Sequence, residues 1–392
     1  MPKKKSEDTK KAGNSSLSKA RAAIKKTMKD RDDEVQLDVQ NLRESAPHFP
    51  SGSIIIDYLI GGRPNVHGVA PCPGIPRERI MNLYGNPGAG KTTLALTAAA
   101  SVIELGGTCA YIDFENEVEP RYAEILGVPV TDEDKFTLMQ PTTLEDGIQY
   151  AALYAKHGVD LIVIDSVGAG VPAAWFEKDD VGKGRIGLKA SIWSQELPKL
   201  KAICAKTGTA ILGISQLRTN MNITGYGGPS QQAQGGKAWM YFSATRMMLS
   251  KIQSLKEKVH DPVTGKTEDV VIGQKVRARL DKCKVSDAMQ HTADFILRSG
   301  YGIDDDQSMI EIALANNLIT RAGSWYSWVA PDGNEIRGQG MGKFRRLLDA
   351  REGSFNDIWH QVSPILAGGG GQTANNGTVD EEVDMGLSLI HI

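Results

Sequence analysis

The chain of 392 residues sets 45 Lys or Arg against 47 Asp or Glu, a formal net charge of −2, with 41% hydrophobic residues. The near-neutral balance excludes a uniformly basic nucleic-acid coat, and the apolar share suffices for one large core with appendages. Four widely spaced cysteines, Cys72, Cys109, Cys204 and Cys283, without a C-x-x-C pair argue against a disulfide framework or a zinc site.

Charge is segregated at the start: residues 1–31 hold eleven Lys or Arg against three acids. A solvated arm is expected over residues 1–15, with attraction to DNA or a partner as the sharper use of the same charge. Leu17, Ala20, Ala23, Ile24 and Met28 then recur at helical spacing, a short amphipathic stripe that a neighbouring subunit is a candidate to cover. From residue 50 to about 300, apolar strands at 80–84, 108–113, 136–139, 161–165, 209–214 and 246–249 alternate with helical patterns. The alternation predicts an α/β fold, a mostly parallel sheet with helices on both faces. Ligands of such sheets sit at the carboxyl ends of the strands.

The segment Gly85, Asn86, Pro87, Gly88, Ala89, Gly90, Lys91, Thr92 fits the phosphate-binding pattern G-x-x-x-x-G-K-[ST] without a mismatch, between an apolar strand and a helix expected over residues 93–105. In that setting the loop N–H groups face the phosphates of a nucleoside triphosphate, Lys91 reaches the β and γ oxygens, and Thr92 offers its hydroxyl to Mg²⁺. Thr93, next in line, joins the nucleotide-binding set. Residues 161–165 are four apolar residues ending in Asp165, the second candidate holder of Mg²⁺. Asp113 and Glu115 end another apolar strand. Glu115 is the candidate base that orients and deprotonates water, although either acid also suits a strand-end cap. Gln216 follows the strand at 209–214 and precedes residues 220–236, which carry no apolar period and are expected to form a long structureless loop, functional or disordered.

Residues 321–365 form a basic and aromatic unit with Trp325, Tyr326, Trp328, Trp359, Arg337, Lys343, Arg345 and Arg346. A glycine-rich linker and the acidic patch Asp380, Glu381, Glu382 and Asp384 follow. The last six residues do not suit an acidic tail; they match the translation of a common sequencing adapter and are read as a read-through artefact. No apolar stretch has transmembrane length and no signal sequence stands at the start, so a soluble cytoplasmic protein without a membrane partner is expected.

Taken jointly, these elements resemble the RecA recombinases of bacteria and their phage relatives over roughly residues 45–365. The residues carrying the likeness are Ser51-Gly52-Ser53 with Asp57, the phosphate loop, Tyr111-Ile112-Asp113-Phe114-Glu115, Glu119-Pro120 with Tyr122-Ala123, Val163-Ile164-Asp165-Ser166-Val167, Ile214-Ser215-Gln216-Leu217-Arg218, Gly235-Gly236-Lys237-Ala238 and Ala322-Gly323-Ser324-Trp325-Tyr326-Ser327. The resemblance implies an ATP-dependent recombinase that coats single-stranded DNA as a helical filament of its own copies and exchanges strands with duplex DNA. Single-strand-binding protein and loading mediators are its expected helpers. It implies that Glu115 is catalytic, Gln216 senses the γ-phosphate, and Glu119 and Tyr122 contact adenine.

The likeness also implies DNA loops at about residues 175–187 and 217–236, with Arg185, Ile186, Lys189, Ser194, Arg218, Ile223, Gly235 and Gly236 as DNA residues, Ile186 and Ile223 being wedges between base triplets. Lys282 and Lys284 match two family lysines that reach the neighbouring subunit's γ-phosphate; as residues alone they also read as exposed lysines flanking a buried cysteine. Ser191, Pro198 and Met240 replace cations usual in the family, and Lys183, Arg185, Lys189 and Arg218 are candidates to supply that charge. The expected domains are a basic arm and polymerisation helix at 1–48, an ATPase core at 49–300, a small C-terminal α+β domain at 301–366 and a tail at 367–392. The same core also serves hexameric helicases and non-catalytic mediators. The missing large amino-terminal domain argues against the first, and the intact Glu115, Asp165 and Gln216 against the second.

Overall fold

A two-residue ribbon, β1 (His48–Phe49) with β2 (Ile75–Pro76), precedes the main sheet. That sheet is built from β3 (Ile80–Gly85), β4 (Cys109–Asp113), β5 (Phe136–Met139), β6 (Leu161–Asp165), β7 (Ala210–Asn220), β8 (Ser230–Ala233), β9 (Thr245–His260), β10 (Thr267–Cys283), β11 (Thr292–Arg298) and β12 (Gly302–Ile303). Its order is β12-β11-β10-β9-β3-β7-β6-β4-β5, with β8 paired to β7. The structure is a computed structural model describing residues 45–63, 70–176, 187–220, 230–260, 267–288 and 291–366. These fall in one unit that begins at Ser45. The basic arm, the stripe at 17–28, the linker and tail, and Lys183, Arg185, Ile186 and Ile223 lie outside the described residues.

β3, β4, β5, β6, β7 and β9 run parallel. Every residue of β3, β4 and β6 is buried, the pattern of strands covered on both faces. Alternate residues feed two separate cores. Tyr111, Val163 and Leu212 pack with α2 (Lys91–Glu104), which follows the short α1 (Ile54–Asp57), whereas Ile112, Ile164 and Ile211 pack against the other face. The latter is covered by α4 (Leu144–Lys156), α5 (Leu188–Thr207) and α6 (Gly236–Phe242), α3 being the short helix Pro120–Ile125. There Trp193 and Trp239 meet edge to face at 5.1 Å. Gly213 on β7 makes the room, since a Cβ would lie 2.1 Å from the Trp239 ring. Truncating a buried tryptophan of this kind costs about 3–5 kcal/mol.

Two expectations need correction. The strand expected at 246–249 runs from Thr245 to His260 and folds back as β10, so β9 to β12 form an antiparallel wing beyond the parallel strands. Its strands alternate exposed and buried residues instead of forming apolar runs, and a search for buried runs passes over them. Residues 220–236, expected to lack structure, include β8, which pairs with β7 through Leu217 opposite Ala233 and Asn220 opposite Ser230. Backbone hydrogen bonds close this ribbon without an apolar period; residues 221–229 are outside the description.

After the wing, α7 (Asp305–Ala315), an antiparallel sheet of β13 (Ile319–Ala322), β14 (Trp325–Val329) and β15 (Glu335–Gln339), and helices α8 (Met341–Asp349) and α9 (Ser354–Leu366) form the small α+β part. Trp328, Phe344, Leu348, Ile358 and Val362 are buried there. Arg345, one of the cations of the basic and aromatic unit, is paired with Asp304, Asp306 and Asp349 at 3.2, 2.9 and 3.2 Å.

Candidate nucleotide and DNA site

The phosphate-loop pattern forms the turn between β3 and α2. A Cβ on Gly85 would lie 2.2 Å from the Leu249 carbonyl, so only glycine lets β3 leave β9 at this point. Gly88 and Gly90 hold φ of 71° and 87°, a left-handed backbone that favours glycine. The buried Lys91 folds back, its Nζ donating to the Gly85 and Asn86 carbonyls at 3.1 and 2.9 Å. Burial lowers its pKa, opposed by the charges of Asp165 and Glu115.

Opposite the loop, Asp165 ends β6, and its peptide to Ser166 is cis. Its Oδ2 accepts from Thr92 Oγ1 at 2.9 Å and from Tyr111 OH at 2.7 Å. Burial raises its pKa to about 6, with the Glu115 and Asp113 charges adding and the two hydroxyl bonds opposing. A hydroxyl and a carboxylate this close are the hard oxygen donors that suit Mg²⁺ when phosphate and water complete its shell. Among the described residues no group of three or more His, Cys, Asp or Glu gathers as a metal site.

The two acids after β4 separate by environment. Asp113 is buried and accepts the N–H groups of Glu115, Asn116 and Val118 at 3.0, 2.9 and 3.1 Å, the strand-end cap that sequence left open. Glu115 is held by side chains from two other strand ends. Ser166 Oγ donates to its Oε1, and Gln216 Nε2 donates to Oε1 and Oε2 at 2.8 and 3.1 Å. The carboxyl ends of β4, β6 and β7 thereby converge on one carboxylate.

A cavity of about 330 Å³ opens beside the loop, lined by Gly88, Lys91, Thr93 and Tyr122 and walled by Gln274 and Leu297 among others. Tyr122 OH and Thr93 Oγ1 lie 3.1 Å apart, and Glu119 caps α3 by accepting from Tyr122 N–H at 2.7 Å. Sequence reasoning missed Ser166, Tyr111 and the wall from β10 and β11. The first two stand inside quoted motifs but were given no role, and the wall depends on the unforeseen wing.

Lys282 and Lys284 stand apart from this cluster. Cys283 pairs with Thr245 and Lys282 with Arg246, at the opposite end of the sheet from Gly85, which pairs with Leu249. Lys282 Nζ donates to the Met240 and Tyr241 carbonyls at 2.8 and 2.9 Å; burial lowers its pKa, and Lys284, Arg246 and Lys201 add to the effect. Among the DNA candidates, Lys189 Nζ donates to the Gly168 carbonyl at 2.9 Å and lies 5.3 Å from the centre of the Trp175 ring. Ser194 Oγ donates to the Ala190 carbonyl at 2.7 Å. Arg218 lies on β7, and Gly235 and Gly236 begin α6 with φ of 93° and 77°. Gln234 N–H donates to the Gln216 carbonyl at 2.9 Å, joining this end of the ribbon to the Glu115 cluster.

The fold and the loop together define a P-loop protein of the α/β class. The RecA N-terminal domain family model matches residues 16–304. A Protein RecA of Lactobacillus delbrueckii subsp. bulgaricus is 35% identical over 314 residues, covering 80% of this chain and 86% of the relative. Proteins of the same name from Limosilactobacillus reuteri and Borrelia duttonii are each 34% identical, over 313 and 319 residues, with 80% and 81% of this chain and 78% and 80% of the relatives covered. The chain belongs to the RecA family and is a RecA-type recombinase. No helix among the described residues is long and apolar enough to cross a membrane.

Proposed function

We propose that the protein assembles with its own copies as a helical filament on single-stranded DNA, hydrolyses ATP there with Mg²⁺, and exchanges the bound strand with duplex DNA. The observation that carries this reading is the shared carboxylate: Gln216 donates to Glu115 beside the phosphate loop, and β7 runs on from Gln216 through Leu217–Asn220, which pair with Ser230–Ala233 of β8. Nucleotide chemistry and the DNA loop thus share one side chain. The domain scheme belongs to the same proposal: a polymerisation arm at 1–48, an ATPase core at 49–300, a small domain at 301–366 and an acidic tail at 367–392.

The roles follow from position. The loop amides and Lys91 take the phosphates, and Thr92 with Asp165 holds Mg²⁺, which supplies charge neutralisation on the phosphate oxygens. Glu115 keeps lone pairs beyond those used by Ser166 and Gln216 and accepts the water's proton. Gln216 can donate to Glu115 or to a terminal phosphate, and changing partner shifts the root of the ribbon, a switch ordered by a γ-phosphate. Lys282 and Lys284, remote from their own loop, act on the nucleotide of an adjoining subunit. Negative-stain microscopy with single-stranded DNA and a slowly hydrolysed ATP analogue tests the reading. Helical filaments are expected; closed rings or bare DNA would contradict it.

A further inference from the structure

The wing's strand β10 comes closest to the phosphate loop at Gln274, whose Nε2 donates to the Gly88 carbonyl at 2.8 Å across 186 positions of chain. Two local features aim this side chain. The register of β10 against β9 shifts between Val271, opposite Lys256, and Gly273, opposite Leu255, a bulge of the kind that redirects a side chain next to a site. Gly273 is also pressed onto β11, where a Cβ would lie 2.4 Å from the Leu297 carbonyl, so the strand passes close enough only because the residue before Gln274 has no side chain. On β11, Leu297 faces Gly90, where an added Cβ would meet its Cδ1 at 2.1 Å. Gln274 and Leu297 thus hold the loop's two left-handed glycines from the same side, and both line the cavity.

We infer that Gln274 is a positioning residue for the phosphate loop, setting nucleotide affinity by fixing the Gly88–Ala89 peptide. The Gly88 carbonyl and the Ala89 N–H belong to one planar unit and point in opposite directions. Holding the carbonyl toward β10 therefore fixes the direction of the amide, one of the donors that the loop offers to phosphate. Without Gln274 the peptide keeps only the longer bond from the Ala89 N–H to the Asn86 carbonyl, at 3.3 Å, which that amide gives up to meet a phosphate, and part of the binding free energy then goes into ordering the peptide. Because the hydrogen bond is made before any phosphate arrives, its effect falls on nucleotide affinity rather than on the chemical step.

This inference rests on the nucleotide reading of the site, and the test separates the two. Titrate a fluorescent ATP analogue and measure steady-state ATPase for the wild type and for Gln274→Ala, Gln274→Glu and Gln274→Lys. Losing one neutral hydrogen bond of this kind predicts about fivefold weaker analogue binding and higher KM for Gln274→Ala, with the change in KM rather than kcat. Gln274→Glu, which sets a carboxylate against the Gly88 carbonyl, is expected to be weaker still. Gln274→Lys, which restores a donor, is expected to recover most of the affinity. Unchanged binding by Gln274→Ala, a loss confined to kcat, or Gln274→Lys no better than Gln274→Ala overturns the role of Gln274. A wild type that does not bind the analogue overturns the nucleotide reading itself.

Discussion

In β3, β4 and β6 every residue is buried and the reactive side chains gather at the carboxyl ends, whereas β10 and β11 alternate exposed and buried positions and lend the cavity a wall. Lys91, Thr92, Asp165 and Glu115 come from the ends of these strands and Gln216 from the adjoining parallel strand β7, within hydrogen-bond reach of one another or of the loop. Gln274 and Leu297 come from the second and meet the loop at Gly88 and Gly90. A strand buried on both faces has little freedom, so groups at its end are held in fixed mutual geometry. A half-exposed hairpin tolerates bulges and suits adjustment of affinity. Chemistry is expected to follow the parallel strands and binding strength the wing.

The largest effect that would break this division is on Glu115. Glu115→Gln keeps the shape and an acceptor for Ser166 but cannot take the water's proton, so DNA-stimulated kcat is expected to fall about a hundredfold or more while ATP still binds. Turnover at the wild-type rate would move the base elsewhere. Asp113 is a poor substitute, since three backbone N–H groups occupy its carboxylate. The Gln274 substitutions should show the reverse signature, a change in KM of about fivefold.

A smaller effect belongs to stability at the start of α7, which the wing leads into. Burial raises the Asp305 carboxyl to about 7, and Asp304 and Asp306 add to this while the Ile54 N–H, at 3.2 Å, opposes it. Asp57 nearby is also raised, chiefly by burial. Because the folded value of Asp305 exceeds the unfolded value near 3.9, its contribution to stability is full below about pH 4 and is lost as the pH rises through 7. Asp305→Asn keeps an acceptor for Ile54 and should flatten the fall of Tm between pH 4 and 7, with a gain at pH 8 of about 3 °C for each kcal/mol relieved. An unchanged pH profile would place the titrating group elsewhere.

The same division explains what could be read in the sequence. Leu161-Ile162-Val163-Ile164-Asp165 announces both a buried strand and the acid at its end, because four apolar residues in a row have no other place than between two layers. The phosphate loop is legible since its glycines answer to backbone geometry and its lysine to charge. Gln274 is illegible because its position depends on a bulge at one strand and on an absent side chain at Gly273, neither of which leaves a periodic trace. Ser166 sits in a quoted motif, yet its bond to Glu115 depends on how β6 and β4 align in space. The β7–β8 ribbon escaped because backbone pairing alone defines it.

The central claim is that Gln216 couples nucleotide to DNA. Equilibrium coupling between two ligands is reciprocal, so it can be read from DNA binding alone. Single-stranded DNA carrying a fluorophore is titrated at fixed salt against wild type and Gln216→Ala, once with a slowly hydrolysed ATP analogue and once with ADP. The wild type is expected to bind DNA more tightly with the analogue. The variant should lose most of that difference while its affinity for the analogue falls only severalfold, the cost of one neutral hydrogen bond of about 1 kcal/mol. A variant that keeps the wild-type ratio of the two DNA affinities would contradict the account.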